Sequence, residues 1–344
     1  LEEPFGLGRA PQFRHWDNVQ AQRRLLEEVC RIERLALVYG WSMGGQQALH
    51  WGALHPDRVA AICAVCTSAR TSPHNKVFLE GIRAVLTADA AYQGGHFTER
   101  PVRALRAFGR IYAGWAMSQA FYREELWRGM GFASLEDFLV RAWEGNFLRR
   151  DAADLVSMID TWYHSDISDN ARFNGDLDAA LGAITARSII MPSTTDLYFT
   201  VADSEAETAK MTNAVFRPID SIWGPRAGTP VPCADAEAVL RHAVEELLGT
   251  AAGSDSMHNV PPPVSSGCWR VALAGGDTAY VADSTNGLQI VDVSDPEHPT
   301  ATRLEDESIF YVLDVAVSGS HAFVSDGARL VLLDITNPRE PAVI

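Results

Sequence analysis

The sequence predicts an α/β domain with a parallel sheet and a helical insertion, followed by a small all-β segment. Three observations support this prediction. Short apolar runs alternate with helical periodicity up to residue 248, the segment between two of these runs is rich in aromatic residues, and alternating β patterns repeat near the C-terminus. With 344 residues, 47% of them hydrophobic, the chain is long enough for about two domains.

The first convincing helix is predicted to begin at Asp17, a residue type that caps helices, and its apolar stripe is Val19, Leu25, Leu26 and Val29. The apolar run 35–39 then predicts a buried parallel strand. Sixteen residues precede Asp17, and Leu1 is not methionine. We expect this strand to have an unpaired edge, which is unfavourable for a hydrophobic parallel strand. Either the chain is a fragment, or something else covers that edge.

The strongest motif follows directly. Gly40, Ser42 and Gly44 form a Gly-x-Ser-x-Gly sequence between the predicted strand and a helix predicted over residues 46–53. This is the nucleophile elbow of α/β-hydrolases, a sharp turn that presents a reactive serine. Ser42 is the predicted nucleophile, and the backbone amide of Met43 is the predicted oxyanion donor. The alternative is that Ser42 only caps a structural helix.

A long insertion, residues 72–181, separates the elbow from the next apolar run and predicts a helical cap. Its aromatic side chains are Phe78, Tyr92, Phe97, Phe108, Tyr112, Trp115, Phe121, Tyr122, Trp127, Phe132, Phe138, Trp143, Phe147 and Trp162. The simplest interpretation of any single ring is that it belongs to the core of the cap.

The acid of a serine triad follows a later strand in this fold, and the histidine follows the last one. The β-rich run 187–196 ends in Asp196, which we predict as the acid; the alternative is an ordinary loop carboxylate. No histidine lies between Ile219 and Pro230. His242 belongs to the last predicted helix, residues 234–248, and is interpreted as a surface residue.

Residues 17–248 resemble the homoserine O-acetyltransferase-like branch of the α/β-hydrolases. The resemblance is carried by Gly-Trp-Ser-Met-Gly-Gly-Gln-Gln-Ala at 40–48, Thr-Asp-Leu-Tyr-Phe at 195–199 and Trp-Gly-Pro-Arg-Ala-Gly at 223–228. It implies an α/β-hydrolase fold in which Ser42 and Asp196 are catalytic and the base histidine falls on Pro225. It also implies a small-molecule acyl donor, acetyl-CoA being a candidate, a small hydroxyl acceptor, and no permanently bound cofactor.

The proline has a large consequence, because a serine hydroxyl without a base stays protonated and is a poor nucleophile. Removing the histidine of a serine-protease triad costs on the order of 10⁶-fold in kcat. The chain is therefore predicted to be a weak or inactive acyltransferase. Two alternatives remain open: an esterase-like hydrolase that uses water as acceptor, and a non-catalytic binding or scaffold protein.

Composition excludes several other classes. A net charge of −15 without a basic cluster argues against a nucleic-acid partner. No apolar run approaches the roughly 20 residues that span a bilayer. The five scattered cysteines are typical of a reducing, cytoplasmic compartment; Cys63 and Cys66 lie in one apolar run with no second pair, so no metal site is predicted. The sequence leaves a homodimer open.

Residues 251–268, with three consecutive prolines, are predicted to be a linker between a domain of residues 1–250 and a segment of residues 269–344. In that segment 278–283 matches 321–326 at a spacing of 43 residues, and 288–296 matches 330–338 at 42. The pattern resembles the LVIVD-type repeats of β-propellers, each of which implies one four-stranded blade. We expect fewer than two repeats before Ile344, with both ends of the chain truncated.

Overall fold

The computed structural model describes residues 13–229, 234–249, 270–274, 277–283, 287–295, 299–304, 312, 314–325 and 330–344. The described residues fall into two compact units, one up to residue 249 and one from residue 270 onward. The predicted linker, 251–268, lies outside the described residues.

The first unit alternates helices with short strands. Its helices are α1 (His15–Arg24), α2 (Met43–Leu54), α3 (Pro73–Thr87), α4 (Val102–Ala116), α5 (Gln119–Arg123), α6 (Leu135–Phe138), α7 (Gly145–Phe147), α8 (Ala152–Tyr163), α9 (Leu177–Gly182), α10 (Val201–Thr208) and α11 (Ala234–Leu248). Its strands are β1 (Val38–Trp41), β2 (Ala61–Val65), β3 (Tyr92–Gln93), β4 (His96–Phe97), β5 (Arg187–Met191) and β6 (Ala214–Phe216).

Four of these strands form a parallel sheet in the order β1-β2-β5-β6. Every residue of β2 is buried, as expected for a strand inside a sheet that helices cover. Among the described residues β1 pairs only with β2, which agrees with the expected open edge. The parallel order brings the carboxyl ends of all four strands to one edge, where α/β folds hold their functional groups.

The helices from α3 to α8 form a layer with a core of its own. Its larger side chains are Phe78, Leu79, Ile82, Leu86, Leu105, Phe108, Phe147, Leu155, Ile159 and Trp162, and it also includes Tyr198 and Phe199, which follow β5. The aromatic side chains of the insertion therefore pack as a cap, and this cap contacts the loop that carries Asp196.

Two details of the N-terminal region differ from the sequence prediction. Helix α1 begins at His15, and Asp17 is the third residue of its first turn, where its carboxylate accepts the Arg14 backbone N–H at 2.8 Å. The predicted apolar stripe is only partly buried, since Leu25 and Val29 are 55% and 70% exposed. The reason is the π-helical segment Leu25–Val29, whose wider turn ends the 3.6-residue period assumed by the prediction.

The predicted strand at residues 35–39 is also displaced. The strand begins at Val38, and Leu35 makes only an isolated parallel bridge with Val59. An apolar run alone does not show where a hydrogen-bonded ladder begins, because burial and pairing are separate requirements.

The second unit contains two antiparallel four-stranded sheets. The first is β7 (Arg270–Leu273), β8 (Thr278–Ala282), β9 (Leu288–Asp292) and β10 (Thr300–Arg303); the second is β11 (Asp314–Ser318), β12 (His321–Ser325), β13 (Leu330–Asp334) and β14 (Ala342–Val343). Each is a simple meander, the arrangement of a propeller blade. Both sheets contribute to one apolar core around Tyr280, Leu288 and Leu333.

The expectation of fewer than two repeats is therefore wrong, since two four-stranded sheets fit before Ile344. The strands that the sequence analysis did not count are the outermost ones, β10 and β14. All residues of both strands are exposed, so neither strand has the apolar alternation by which the repeats were counted.

Candidate active site

Ser42 lies at the turn between β1 and α2 with φ 55° and ψ −125°, a strained conformation for a residue that is not glycine. Two hydrogen bonds hold it there. The Ser42 N–H donates to the carbonyl of Val65 at 2.9 Å, and the hydroxyl of Thr67 donates to the Ser42 carbonyl at 2.8 Å. The neighbouring strand therefore fixes the turn that the Gly-x-Ser-x-Gly sequence predicts.

The glycines around Ser42 are not equivalent. A Cβ atom on Gly40 would lie 2.2 Å from the carbonyl oxygen of Gly44, and one on Gly45 would lie 2.6 Å from the Thr67 side chain. A Cβ atom on Gly44 would meet nothing within 4 Å. Close contacts therefore require glycine at position 40, against the backbone of Gly44, and at position 45, against the side chain of Thr67. Gly44, the second glycine of the motif, has open space around it.

Asp196 follows β5 and is buried, with 7% of its surface exposed. Its Oδ1 accepts the backbone N–H groups of Tyr198 at 2.8 Å and Phe199 at 3.1 Å. Its Oδ2 is buried and meets no donor with good hydrogen-bond geometry among the described residues. Burial raises the pKa of this carboxyl to about 7, and the amides of Phe199 and Tyr198 and the weakly donating thiol of Cys66 oppose the increase only in part.

Pro225 is buried in a 3₁₀ turn, Gly224–Gly228, that follows β6. The Pro225 carbonyl accepts the indole N–H of Trp41 at 2.8 Å, and the Gly224 N–H donates to the Thr195 hydroxyl at 3.0 Å. The turn is thereby tied to the residue before Ser42 and to the residue before Asp196. The structure thus brings Ser42, Asp196 and Pro225 to the same edge of the sheet.

The backbone at this turn is tightly constrained. Gly224 has φ +62°, and a Cβ atom there would lie 3.1 Å from the Ser118 backbone nitrogen. A Cβ atom on Gly228 would lie 2.3 Å from the ring of Trp41. The backbone around Pro225 is therefore tightly constrained. The proline side chain has no group that could accept or donate a proton.

Met43 is the first residue of α2, so its amide lies at the positive end of that helix. Its side chain packs against the cap core. The ring of Tyr198 connects the loop of residues 192–200, which carries Asp196 and is called the acid loop below, to the same core. Its ring centroid lies 5.8, 5.3 and 5.0 Å from those of Trp115, Trp162 and Phe78. The cap is thus adjacent both to the elbow and to the acid loop.

The histidines that the structure describes are not paired with Asp196. His242 is exposed on α11, as predicted. His15 and His50 form a buried pair with ring centroids 5.5 Å apart, and each is hydrogen-bonded to Gln46.

Sequence reasoning missed several residues that position the site, namely Trp41, Cys66, Thr67 and Thr195. Trp41 lies inside the elbow motif, and its place directly before Ser42 could have indicated that it helps to position the site. For Cys66, a buried residue with φ 44°, nothing in the sequence distinguishes it from an ordinary core cysteine. Within the described part of the chain, no three His, Cys, Asp or Glu side chains are grouped so as to hold a metal ion.

The model of the alpha/beta hydrolase fold matches residues 10–217, more than half of the chain. The chain belongs to the α/β-hydrolase fold family. The LVIVD repeat model matches residues 268–303 and 311–344, which correspond to the two sheets of the second unit. None of the helices in the described part of this family member has the length and apolar character needed to cross a bilayer.

Within the family the chain is similar to hydrolases and to acyltransferases. It is 35% identical over 210 residues to an ethyl acetate hydrolase of Pseudomonas veronii, covering 60% of each chain. It is 32% identical over 196 residues to a homoserine O-succinyltransferase of Methylibium petroleiphilum, covering 53% of this chain and 50% of the relative. The chain therefore spans between half and two thirds of the length of these relatives.

A solved structure with the same fold is an acetylester hydrolase from Corynebacterium glutamicum. It superimposes with a TM-score of 0.68 at 29% identity, over 72% of this chain and 71% of that one.

Proposed function

We propose that the first unit binds small acetyl esters at Ser42 and Asp196 but turns them over very slowly, because Pro225 occupies the position of the base. One observation carries this proposal. The Oδ2 atom of Asp196 is buried without a strong donor, beside the turn in which a histidine would supply one. Such an arrangement is expected where the middle member of a serine triad has been replaced.

The chemistry explains why the loss is severe. In acyl transfer the Ser42 oxygen would form a bond to the ester carbonyl carbon, the bond to the alcohol oxygen would break, and the serine proton would end on the leaving alcohol. A histidine normally accepts and returns that proton. Proline has no group that accepts a proton, so only the Met43 amide and the positioning of the ester would still favour the reaction.

Water is the acceptor we propose, which makes the ancestral activity an esterase. The support is the similarity to an ethyl acetate hydrolase and to an acetylester hydrolase. The second candidate is transfer of an acyl group to a hydroxyl compound, which the similarity to a homoserine O-succinyltransferase favours; the donor we propose for it is acetyl-CoA. Repaired enzyme, given acetyl-CoA with and without homoserine, would separate the two by whether an acetylated product or free acetate forms.

The direct test is the acyl-enzyme burst with p-nitrophenyl acetate. We expect no burst from the native chain, a burst approaching one equivalent from Pro225→His, and none from the double variant Pro225→His with Ser42→Ala. The histidine would accept the Ser42 proton and donate its other N–H to Asp196 Oδ2.

A second variant tests the same hypothesis without relying on where the histidine ring of Pro225→His lies. Pro225→Ala removes the pyrrolidine without adding a base, so added imidazole should restore the burst in this variant and not when Ser42→Ala is also present. If neither Pro225→His nor imidazole with Pro225→Ala acylates Ser42 in protein with native circular dichroism, the catalytic assignment is wrong. The non-catalytic binding protein would then be the better description.

A further inference from the structure

A groove on the cap lies between α4 and the π-helical segment Leu139–Glu144, which follows α6. Its volume is about 530 Å³, within the range of small-molecule sites. Three arginines, two glutamates and three aliphatic residues line it. None of the lining residues is Ser42, Asp196 or Pro225, so the groove is distinct from the candidate active site.

The three arginines, Arg103, Arg106 and Arg110, all lie on α4 at spacings of three and four residues, which places them on one face of the helix. Like charges at these spacings repel one another, so carboxylates nearby are needed to offset the repulsion. Arg110 has two carboxylate partners. Its guanidinium donates to Glu144 and to Glu136, each at 2.5 Å.

The partners along α4 run in the opposite direction to the helix. Arg110 pairs with Glu136, the Nε of Arg106 lies 3.7 Å from Oε2 of the buried Glu144, and Arg100 donates to the Leu148 carbonyl. Arg103 comes between Arg100 and Arg106 along the chain. It therefore lies toward the Leu148 end of the groove, beyond both lining glutamates.

Arg103 is exposed, and in the described part of the chain its guanidinium has no ion pair and no hydrogen bond. Three guanidinium groups and two carboxylates leave the lining with one positive charge in excess, although the whole chain has a net charge of −15. A carboxylate fits a free guanidinium well, because its two oxygens accept two parallel N–H groups. One monoanion would balance the groove.

The remaining lining is aliphatic and consists of Ala107, Val140 and Leu148. Val140 is 41% exposed, so this part of the groove presents apolar surface to water. Covering such surface with a hydrocarbon chain is favourable. The groove thus combines an unpaired cation with an apolar wall, which is the complement of an amphiphilic anion.

We propose that this groove binds an aliphatic monocarboxylate, whose carboxylate pairs with Arg103 and whose hydrocarbon chain contacts Ala107, Val140 and Leu148. The site takes no part in proton transfer or acylation. It is independent of the reaction proposed for Ser42.

The test is isothermal titration calorimetry of the full native chain with octanoate. Two analogues separate the contributions: 1-octanol keeps the hydrocarbon chain without the charge, and acetate keeps the charge without the chain. We expect one octanoate to bind per protein, at least about tenfold more tightly than either analogue. Added salt should weaken octanoate and leave octanol unchanged, because ions screen the pairing of a carboxylate with an exposed arginine.

Variants locate the site. Arg103→Gln removes the charge and should weaken octanoate about tenfold, with little effect on octanol. Val140→Asp places a second anion on the aliphatic wall and should weaken octanoate by a similar factor. Arg123→Gln is the matched control, because Arg123 of α5 is also exposed, without an ion pair among the described residues, and does not line the groove. It should leave the affinity unchanged.

Octanoate that binds no more tightly than octanol and acetate would overturn the proposal with the native chain alone. An affinity that Arg103→Gln does not change would also overturn it, since octanoate would then bind elsewhere, for example under the cap near Ser42. Sedimentation velocity tests a different occupant. A native chain that sediments as a dimer, with Val140→Asp as a monomer, would show that a second copy covers the groove and would contradict the ligand site.

Discussion

At the scale of single residues, the carboxyl of Asp196 is buried, and the residue before it is tied to the turn that holds Pro225. Its Oδ2 atom is buried without a strong donor among the described residues. Burial raises its pKa to about 7, so near neutral pH the protein must hold either a charged carboxylate with two amide donors or a neutral acid. A charged carboxylate costs stability at this site because burial removes it from water and leaves its Oδ2 without a strong donor.

Asp196→Asn is therefore expected to stabilise the protein at pH 8. The pKa of Asp196 in the folded chain lies above its ordinary value of 3.8, so its favourable contribution is present at low pH and is lost as the pH rises through about 7. We expect the free energy of unfolding to increase by about 1 kcal/mol or more at pH 8, and the gain to shrink at pH 5. Urea denaturation at the two pH values measures it. The exposed Asp169→Asn serves as control, and an equal gain at both pH values would contradict the linkage.

The free energies of unfolding must be compared between variants, because the buried group of His15 changes the stability of the native chain with pH in the opposite direction. Burial, with a smaller contribution from nearby His50, lowers the pKa of His15 to about 4. Stability from this group is lost as the pH falls from about 6.5 toward 4. Glu207, whose pKa burial raises to about 7, adds to the trend of Asp196. The pH profile of the native chain is therefore a sum of opposing contributions.

At the scale of elements, the elbow depends on how closely β1 and α2 approach the neighbouring strand. The motif does not distinguish its two glycines, Gly40 and Gly44. In the structure the close contacts are at Gly40 and at Gly45, which lies just after the motif. Thr67, which follows β2, both contacts Gly45 and holds the Ser42 carbonyl. The conformation of the serine is therefore a property of two strands and a helix together.

Gly45→Ala is expected to destabilise the first unit by more than about 2 kcal/mol, since its Cβ would lie 2.6 Å from Thr67 and the backbone would have to shift. Gly44→Ala, one residue away, should be neutral or stabilising by up to about 1 kcal/mol, because the methyl group meets open space and alanine favours a helix. Thermal unfolding of the pair measures the difference. Similar melting temperatures for both variants would show that the contact with Thr67 relaxes without cost.

At the scale of the whole molecule, the chain combines an α/β-hydrolase unit with two propeller-type sheets, each unit having its own apolar core. Because the apolar cores of the two units consist of different residues, each unit can unfold by itself. The sheets of the second unit share residues such as Leu288 and Leu333 in a single cluster, so they are expected to unfold together.

Leu288→Ala tests this prediction. Leu288 is completely buried in β9, so its truncation should cost about 2–5 kcal/mol in the second unit. We expect calorimetry to resolve two transitions, with Leu288→Ala lowering only one and Gly45→Ala lowering only the other. A single transition that moves in both variants would indicate that the two units unfold as one.

The sequence by itself determined the glycine-serine motif of the elbow, the carboxylate that follows β5, the repeated pattern of the second unit and the absence of a histidine between Ile219 and Pro230. These features depend on local patterns: an apolar run, a glycine spacing, a short motif. Only the tertiary structure decided that the turn of Pro225 is tied to Trp41 and Thr195, that Gly45 is constrained while Gly44 is not, and that α1 ends in a π-helical segment. It also decided which polar groups are buried without partners, because burial and hydrogen bonding at one site depend on residues far apart in the chain.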